Sequence, residues 1–202
     1  LLKMDGQYMD VTDSLLASYD EQLKVPAEYI FEKRKAFVEQ LQPVFYKYYA
    51  LISGEKEAVQ IHYKSKLQEM SWEEYIDSYK LQDIHSQRCN AGIHKDDLVF
   101  EMNGERVKQF SSQGQQKSFV LALKLSQYEQ LRIAKERTPI LLLDDIFDKL
   151  DNNRVNSLMQ LLCDETFGQI FITDTDVNRI KKVVEGLDKP HLIFELVNEE
   201  ES

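Results

Sequence analysis

The chain has 202 residues, of which 43% are hydrophobic and 30% are charged, a composition that favours a folded globular protein over intrinsic disorder. Its formal net charge of -10 excludes a strongly basic protein that grips nucleic acid phosphates by charge alone. The sequence contains no apolar run long enough to span a bilayer and no signal-peptide pattern at its start, so we expect a soluble, cytoplasmic protein with no membrane partner.

The first quarter of the chain has a helical pattern. From Asp13 to about Ser53, apolar residues recur every three or four positions as one stripe, namely Phe37, Leu41, Val44, Phe45, Tyr48 and Ile52. Pro26 suits a helix start, and Pro43 is expected to kink or divide the second helix because proline lacks a backbone donor. We therefore predict a helical arm with breaks, whose apolar stripe fits a local core as well as it fits an interaction surface.

A short strand and a further helix follow the arm. The run Ala58–Tyr63 alternates and is rich in strand-forming residues, and a helix is expected from about Ser71 to Arg88. Residues 1–90 are therefore predicted to form a helical arm domain with a short strand segment.

Beyond this arm, the pattern changes to alternating strands and helices. Asn103-Gly104 between two strand-like runs is typical of a β-hairpin, with strands at 97–102 and 105–110. A helix at 115–135 then precedes the apolar run 140–143, which is typical of a buried parallel strand. The elements expected next are a helix at 152–162, a strand at 169–173, a helix at 177–185 and a strand at 191–197. This order predicts an α/β fold with a mostly parallel sheet, preceded by the mainly helical arm.

Two carboxylates end the predicted buried strand. Asp144 and Asp145 follow it directly, at the edge where open α/β sheets bind ligands. One such carboxylate can hold the magnesium that bridges nucleotide phosphates, and its neighbour can orient or deprotonate the attacking water. We therefore predict a Walker B element with Asp144 at the metal and Asp145 as the catalytic residue. Buried strands also end at solvated aspartates, so this pattern alone leaves that alternative open.

Two neighbouring runs resemble further elements of ABC-type ATPases. Asp144–Asp151 resembles their D-E-P-T-S-A-L-D run, which would place Asp151 in the D-loop. Ser111–Lys117 resembles the L-S-G-G-Q signature, in which Gly114 allows close backbone approach and the following helix start can receive a phosphate. The alternative use of these polar residues is a helix cap. The candidate nucleotide contacts are Ser112, Gly114, Gln115 and Asp151.

Among ABC-type heads, the chain resembles the RecF family. The form Ser-x-Gly-Gln-Gln-Lys combined with Asp-Asp is similar to that family, and Gly92–Leu98 resembles its G-P-H-R-D-D-L segment, with Ile93 in place of proline and Lys95 in place of arginine. None of the seven glycines begins the pattern G-x-x-x-x-G-K-[ST], so the phosphate-binding Walker A loop is missing. We therefore expect 91–202 to be the C-terminal part of an ABC-type ATPase head that lacks the Walker A lobe.

The resemblance implies cofactors and partners that the residues alone do not. In this family ATP and Mg²⁺ join two subunits, so Ser112 and Gly114 would act across an ATP-dependent homodimer. At the switch position, usually histidine in ABC proteins, the chain has Asp174, which is a further candidate nucleotide contact. The resemblance further implies recognition of gapped DNA, work with RecR and, through it, RecO, and help in loading recombinase during repair and replication. The residues that would contact DNA are not indicated.

The activity expected of the complete protein differs from that expected of this chain. The complete protein would be a slow, DNA-stimulated ATPase, whereas the isolated chain is expected to be inactive because it lacks the phosphate cradle. The alternatives are a non-hydrolysing structural head, or the head of another chromosome-maintenance or nuclease-linked ATPase. The short arm favours RecF, because proteins with long coiled coils would need far more helix before Gly92.

Overall fold

A long helix, α1 (Met9–Ser53), opens the computed structural model, which describes residues 9–185, 187 and 189–196, with side chains from residue 14 onward. Apolar side chains along one face of α1 are buried, namely Ala27, Phe31, Val38, Leu41, Phe45, Tyr48, Tyr49 and Ile52. The predicted stripe is confirmed over its second half, but Phe37 is 48% exposed and Val38 takes the buried position instead.

The predicted helix start at Pro26 and division at Pro43 are wrong, because α1 continues through both prolines, and the alternative kink at Pro43 stays a prediction. A proline inside a helix costs about 3 kcal/mol, since it removes one hydrogen bond and crowds the preceding turn. Buried side chains close to each proline offset this cost. Phe31 is buried after the first, and Phe45 is fully buried after the second. Complete burial of such a side chain contributes about 1.5–3 kcal/mol.

The chain forms two compact units, each built from two segments. Among the described residues, the first unit comprises the chain up to Gln40 together with Ile61–Phe100, and the second comprises Leu41–Gln60 together with the chain from Glu101 onward. The division into functional domains at residue 90 stays a prediction.

In the first unit, helix α2 (Trp72–Ser86) confirms the helix expected after residue 71. Its start is fixed by a capping box, in which the Ser71 hydroxyl accepts a hydrogen bond from the Glu74 amide and the Glu74 carboxylate accepts one from the Ser71 amide. The Trp72 indole donates to the backbone carbonyl of Asp20 at 2.9 Å, which ties α2 to α1 within this unit.

The segment that resembles the family's G-P-H-R-D-D-L run is held by side chains of the same unit. Arg34 donates to the carbonyl of Ile93 at 2.8 Å and to the carboxylate of Asp96 at 3.2 Å. Tyr63 also donates to Asp96, whose side chain is only 4% exposed. The buried carboxylate thus fixes this turn on α1, which gives the segment a structural role.

A three-stranded sheet has the order β1-β2-β3, with β1 (Val59–Lys64), β2 (Asp97–Met102) and β3 (Glu105–Arg106). Strands β2 and β3 are antiparallel, and the turn between them has positive φ at Asn103 and Gly104, which confirms the hairpin.

The second hairpin strand is shorter than predicted. Beyond Arg106 the chain forms a short helix, α3 (Val107–Phe110), where a strand was expected. Val107 is buried, whereas Phe110 is 66% exposed. A run this short fits the helical and strand periods equally well, so the pattern could not decide between them.

The remaining elements alternate as predicted: α4 (Gln113–Lys135), β4 (Leu141–Asp144), α5 (Asn152–Leu162), β5 (Ile170–Thr173) and α6 (Val177–Val184). Strands β4 and β5 are parallel, and their register pairs Asp144 with Thr173. The α/β fold class with a helical arm is therefore confirmed.

The parallel sheet is smaller than predicted. Leu141 and Leu143 are buried, but Leu142 is 70% exposed, so β4 buries one face only. A continuous apolar run carries no alternation and therefore cannot distinguish one-faced from two-faced burial. The strand expected at 191–197 is absent over 191–196, where Leu192 and Phe194 are exposed, and Val197 lies outside the described residues.

Aromatic side chains form much of the core of the second unit. Phe119 on α4 packs against Phe45 and Tyr49, with ring centroids 4.7 and 5.9 Å apart, and Phe167 packs against Tyr48 and Tyr128 at 6.2 and 5.1 Å. The end of α1 is thereby fixed against α4, the helix that carries the signature-like segment. Across the described ranges, no helix combines the length and apolar character that crossing a membrane requires.

Candidate nucleotide-contact site

A cavity of about 630 Å³ lies in the second unit between the start of α4 and the start of α5. It is lined by Ser112, Gln113, Gly114, Gln115, Lys149, Asp151 and Arg154. The structure therefore brings together the candidates from the signature-like segment and from the D-loop. The lining does not include Asp144, Asp145 or Asp174.

Ser112 caps the start of α4, whose first residue, Gln113, lies two positions earlier than the sequence suggested. Its hydroxyl accepts a hydrogen bond from the Gln115 amide at 3.2 Å, and the Gln115 side chain accepts one from the Ser112 amide at 2.8 Å. This is a complete capping box, so the helix-cap alternative describes what these side chains do within the chain. The first amides of a helix have no acceptor within the helix and stabilise an anion there, and the first two residues of α4, Gln113 and Gly114, line the cavity.

Gly114 lies against the backbone of the D-loop. A Cβ atom at this position would stand 2.8 Å from the carbonyl oxygen of Lys149, closer than real Cβ contacts come. Lys149 itself has a φ of 65°, a left-handed conformation that is uncommon for a residue with a side chain. The close backbone approach expected at Gly114 is thus made by the chain's own D-loop.

Asp151 caps the start of helix α5. Its carboxylate accepts a hydrogen bond from the Arg154 amide at 2.9 Å and lies 3.4 Å from the Arg154 guanidinium. Asp151 is 62% exposed, so its carboxylate remains accessible from the cavity.

The two candidate carboxylates of Walker B lie at the carboxyl end of β4, as the sequence predicts for that motif. Asp144 accepts a hydrogen bond from the Thr173 hydroxyl on β5. The Asp145 amide donates to the Thr173 carbonyl at 3.1 Å, and the Asp145 carbonyl accepts from the side chain of Lys117 on α4. Both residues are exposed, and the hydrogen bonds to the amide and carbonyl of Asp145 hold the backbone at the end of β4.

The side chain of Asp174, at the switch position, contacts residues that follow it closely in the sequence. Its side chain is fully buried, lies 3.3 Å from the Arg179 guanidinium and accepts a hydrogen bond from the Asp176 amide at 2.7 Å. The carboxylate therefore stabilises the turn after β5 and the start of α6.

Sequence reasoning missed a buried polar network beside the cavity. The guanidinium of Arg154 lies 2.6 Å from the carboxylate of Glu57 and donates to the Ser118 hydroxyl at 2.9 Å. Gln115 and Tyr49 donate to Glu57 at 3.1 and 3.2 Å. Burial, followed by the charge of Glu57, raises the pKa of Tyr49 to about 12.

Only part of this network leaves a signal in the sequence. Arg154 stands three residues after Asp151, the spacing of a helix cap, but its side-chain partner Glu57 lies 97 positions away. A single sequence carries no pattern that joins two charges so far apart.

No model of a protein family matches the chain. The DNA replication and repair protein RecF of Flavobacterium johnsoniae is 44% identical over 196 residues, which are 97% of this chain and 55% of that protein. The protein of the same name from Cytophaga hutchinsonii is 43% identical over 180 residues, 89% of this chain and 48% of that protein.

Solved structures agree with these relatives. The structure described as the recombination mediator protein RecF-ATPrS in the RecFOR pathway has a TM-score of 0.66 and 26% identity, and covers 82% of this chain and 46% of that chain. The corresponding RecF-ATP structure has a TM-score of 0.64 and 27% identity, and covers 81% and 47%. The chain spans about half the length of the curated relatives it matches, and over nearly its whole length it is similar in sequence and fold to RecF proteins.

Proposed function

We propose that this chain supplies the signature, Walker B and D-loop elements of an ATP-dependent recombination mediator in DNA repair and replication. One observation carries the proposal. Ser112, Gly114 and Asp151 share one cavity, whereas Asp144 and Asp145 lie outside its lining. A chain that contacts one nucleotide through its signature and acts on another through Walker B needs this separation. The cavity would then receive the nucleotide of a second subunit.

The groups that line the cavity suit a terminal phosphate. The Ser112 hydroxyl, the outermost amides of α4 and the Lys149 ammonium are donors for phosphate oxygens. The chain has no Gly-rich cradle of the P-loop type, so the body of the nucleotide has to be held by residues outside this sequence. ATP would supply the charge that draws the two subunits together. The residues of this chain orient that phosphate and exclude water from it.

Asp144 is suited to a magnesium ion held partly by other ligands. The described residues include no cluster of three or more His, Cys, Asp and Glu side chains that could hold a metal alone. Magnesium keeps several waters and takes one or two carboxylates together with phosphate oxygens, which fits a single exposed aspartate. Asp145, adjacent and exposed, is placed to orient or deprotonate a water molecule.

The similarity to RecF proteins supports the wider proposal for the full-length protein, by which we mean this chain together with the other half found in its relatives. It would form an ATP-dependent homodimer, recognise gapped DNA, and work with RecR and, through it, RecO in loading recombinase. The 202-residue chain alone is expected neither to bind ATP tightly nor to hydrolyse it. Turnover by the purified chain that Asp145→Asn abolishes would contradict this expectation.

Sedimentation of the full-length protein tests the proposal. The Asp145→Asn variant, which is expected to hold ATP without hydrolysing it, is compared with and without Mg²⁺ and ATP. Ser112→Arg is added to the same protein to fill the cavity, and Gln160→Arg, an exposed position on α5 outside the cavity, is the matched control.

We expect ATP to drive a dimer that Ser112→Arg abolishes and Gln160→Arg leaves intact. If ATP leaves the sedimentation of the Asp145→Asn protein unchanged, the proposed function is wrong and the structural-head alternative applies.

A further inference from the structure

A buried ion pair beside the cavity belongs to none of the ATPase motifs. The side chains of Glu57 and Arg154 are 8% and 10% exposed, and their charged atoms are 2.6 Å apart. Glu57 lies between α1 and β1, and Arg154 lies in the first turn of α5. The pair therefore joins two segments of the second unit that are far apart in the sequence.

Both buried charges of this pair have further hydrogen-bond partners besides each other. The Glu57 carboxylate accepts from Arg154, Gln115 and Tyr49, and Arg154 also donates to Ser118. Desolvation of two charges costs several kcal/mol per ion, so a buried pair of this kind contributes little net stability. Its effect is geometric, because each hydrogen bond fixes one segment relative to another.

The segments that it fixes are those that line the cavity. Gln115 forms one half of the capping box with Ser112, and its side-chain amide donates to Glu57. Arg154 is bonded through its own amide to Asp151 of the D-loop. A continuous path of polar contacts thus runs from the signature-like segment through Glu57 and Arg154 to the D-loop.

We propose that Glu57 and Arg154 are positioning residues that hold the signature end of α4 and the D-loop in the geometry that receives the second subunit's nucleotide. This inference rests on the proposed function. It adds two residues outside the recognised motifs, one of which lies before β1 and far from the rest of the site in sequence.

The test uses the full-length protein with Asp145→Asn, and it measures two quantities. The first is the affinity of the monomer for ATP, which residues outside this chain would set. The second is the Kd of the ATP-driven dimer, measured by sedimentation. A variant that merely unfolds the head weakens ATP binding and also raises the dimer Kd, whereas loss of positioning raises the dimer Kd alone.

Glu57→Gln keeps the size of the side chain and removes its charge. We expect it to raise the dimer Kd by about tenfold or more, the usual cost of losing a supporting contact, while ATP binding by the monomer stays within about twofold. Glu129→Gln is the matched control, since Glu129 pairs with Arg132 at 2.7 Å on the same helix α4, away from the cavity. It should leave both quantities unchanged.

The double variant Glu57→Gln with Arg154→Met guards against a folding defect, because it leaves no buried charge without a partner. We expect it to fold, to bind ATP as the monomer does, and to lose the dimer. The inference is wrong if this double variant, or a folded Glu57→Gln variant, dimerises as tightly as the Glu129→Gln control. If the parent protein itself forms no dimer with ATP, the proposed function fails and this inference fails with it.

Discussion

The side chain of Lys117 on α4 donates a hydrogen bond to the backbone carbonyl of Asp145, the residue that follows β4. Asp145 has a φ of 46°, in the left-handed region that few residues with a side chain adopt. Its amide is held from the other side by the Thr173 carbonyl at 3.1 Å. A hydrogen bond therefore links the signature-like segment to the backbone of the candidate catalytic residue within one chain.

Replacing Lys117 with methionine should lower the rate of ATP hydrolysis by the full-length protein. The substitution keeps most of the length of the side chain but removes the donor, so the strained backbone at Asp145 can relax and its carboxylate loses its fixed position. We expect a fall in kcat of about tenfold or more, with little change in KM, because Lys117 lies outside the lining of the cavity. Steady-state ATPase measurements would determine both constants.

Lys124→Met is the matched control, since Lys124 is an exposed lysine on the same helix that does not line the cavity. If Lys117→Met and Lys124→Met hydrolyse ATP at the same rate, the contact with Asp145 does not position the carboxylate.

Gly114→Ala should destabilise the chain, although alanine normally stabilises a helix relative to glycine. The new Cβ would meet the carbonyl oxygen of Lys149 at 2.8 Å, and a backbone atom cannot move away as the end of a flexible side chain can. We expect the free energy of unfolding in urea to fall by about 1–3 kcal/mol, as for other overpacked sites. Gln113→Ala, at the exposed neighbouring position, should change it by less than about 0.5 kcal/mol.

The fold could be predicted from the sequence wherever a local pattern determines the element. Asn103-Gly104 identified the hairpin, and the apolar run before Asp144 identified the parallel strand. The number of strands and the burial of β4 could not be predicted, because they depend on which segments pair across the chain. Leu142 has the same local pattern as Leu141 and Leu143, yet it is exposed and they are buried.

The same distinction applies to the candidate site. Ser112, Gly114 and Asp151 belong to short sequence motifs, so the sequence could identify them as candidates for one site, and all three line the cavity. The pairing of Glu57 with Arg154 was not, because only tertiary structure brings the two charges together. Asp174 was identified by its position after a strand, but its burial against Arg179 depends on the turn that follows.

Stability should fall in alkaline solution because buried tyrosines resist ionisation. Burial raises the pKa of Tyr48 and Tyr49 to about 12, with the charges of Glu129 and Glu57 respectively as the next cause. An unfolded chain releases these protons near pH 10, so the unfolded state binds fewer protons than the folded state between about pH 10 and pH 12. The free energy of unfolding is therefore unaffected by these groups below pH 10 and decreases above it.

Comparing Tyr49→Phe with the unchanged chain isolates one of these groups. At pH 8 the variant should be less stable by about 1 kcal/mol, the usual value of the hydrogen bond to Glu57 that it loses. At pH 11 the difference should shrink or reverse, since phenylalanine has no proton to release. Urea unfolding at both pH values measures this difference in the free energy of unfolding. An equal difference at both would mean that Tyr49 does not contribute to the loss of stability in alkaline solution.

Replacing Pro43 with alanine should stabilise the chain, because α1 continues through this position without a break. Alanine restores the missing backbone donor and is the better helix former by about 3 kcal/mol, against a loss of about 0.4–1 kcal/mol from the greater freedom of the unfolded chain. We expect a net gain of about 1–3 kcal/mol in urea unfolding. Pro139 lies before β4, outside the helices, so Pro139→Ala should instead lower the free energy of unfolding by about 0.4–1 kcal/mol. A loss of stability in Pro43→Ala would mean that the packing of Phe45 and its neighbours depends on a bend that the proline imposes.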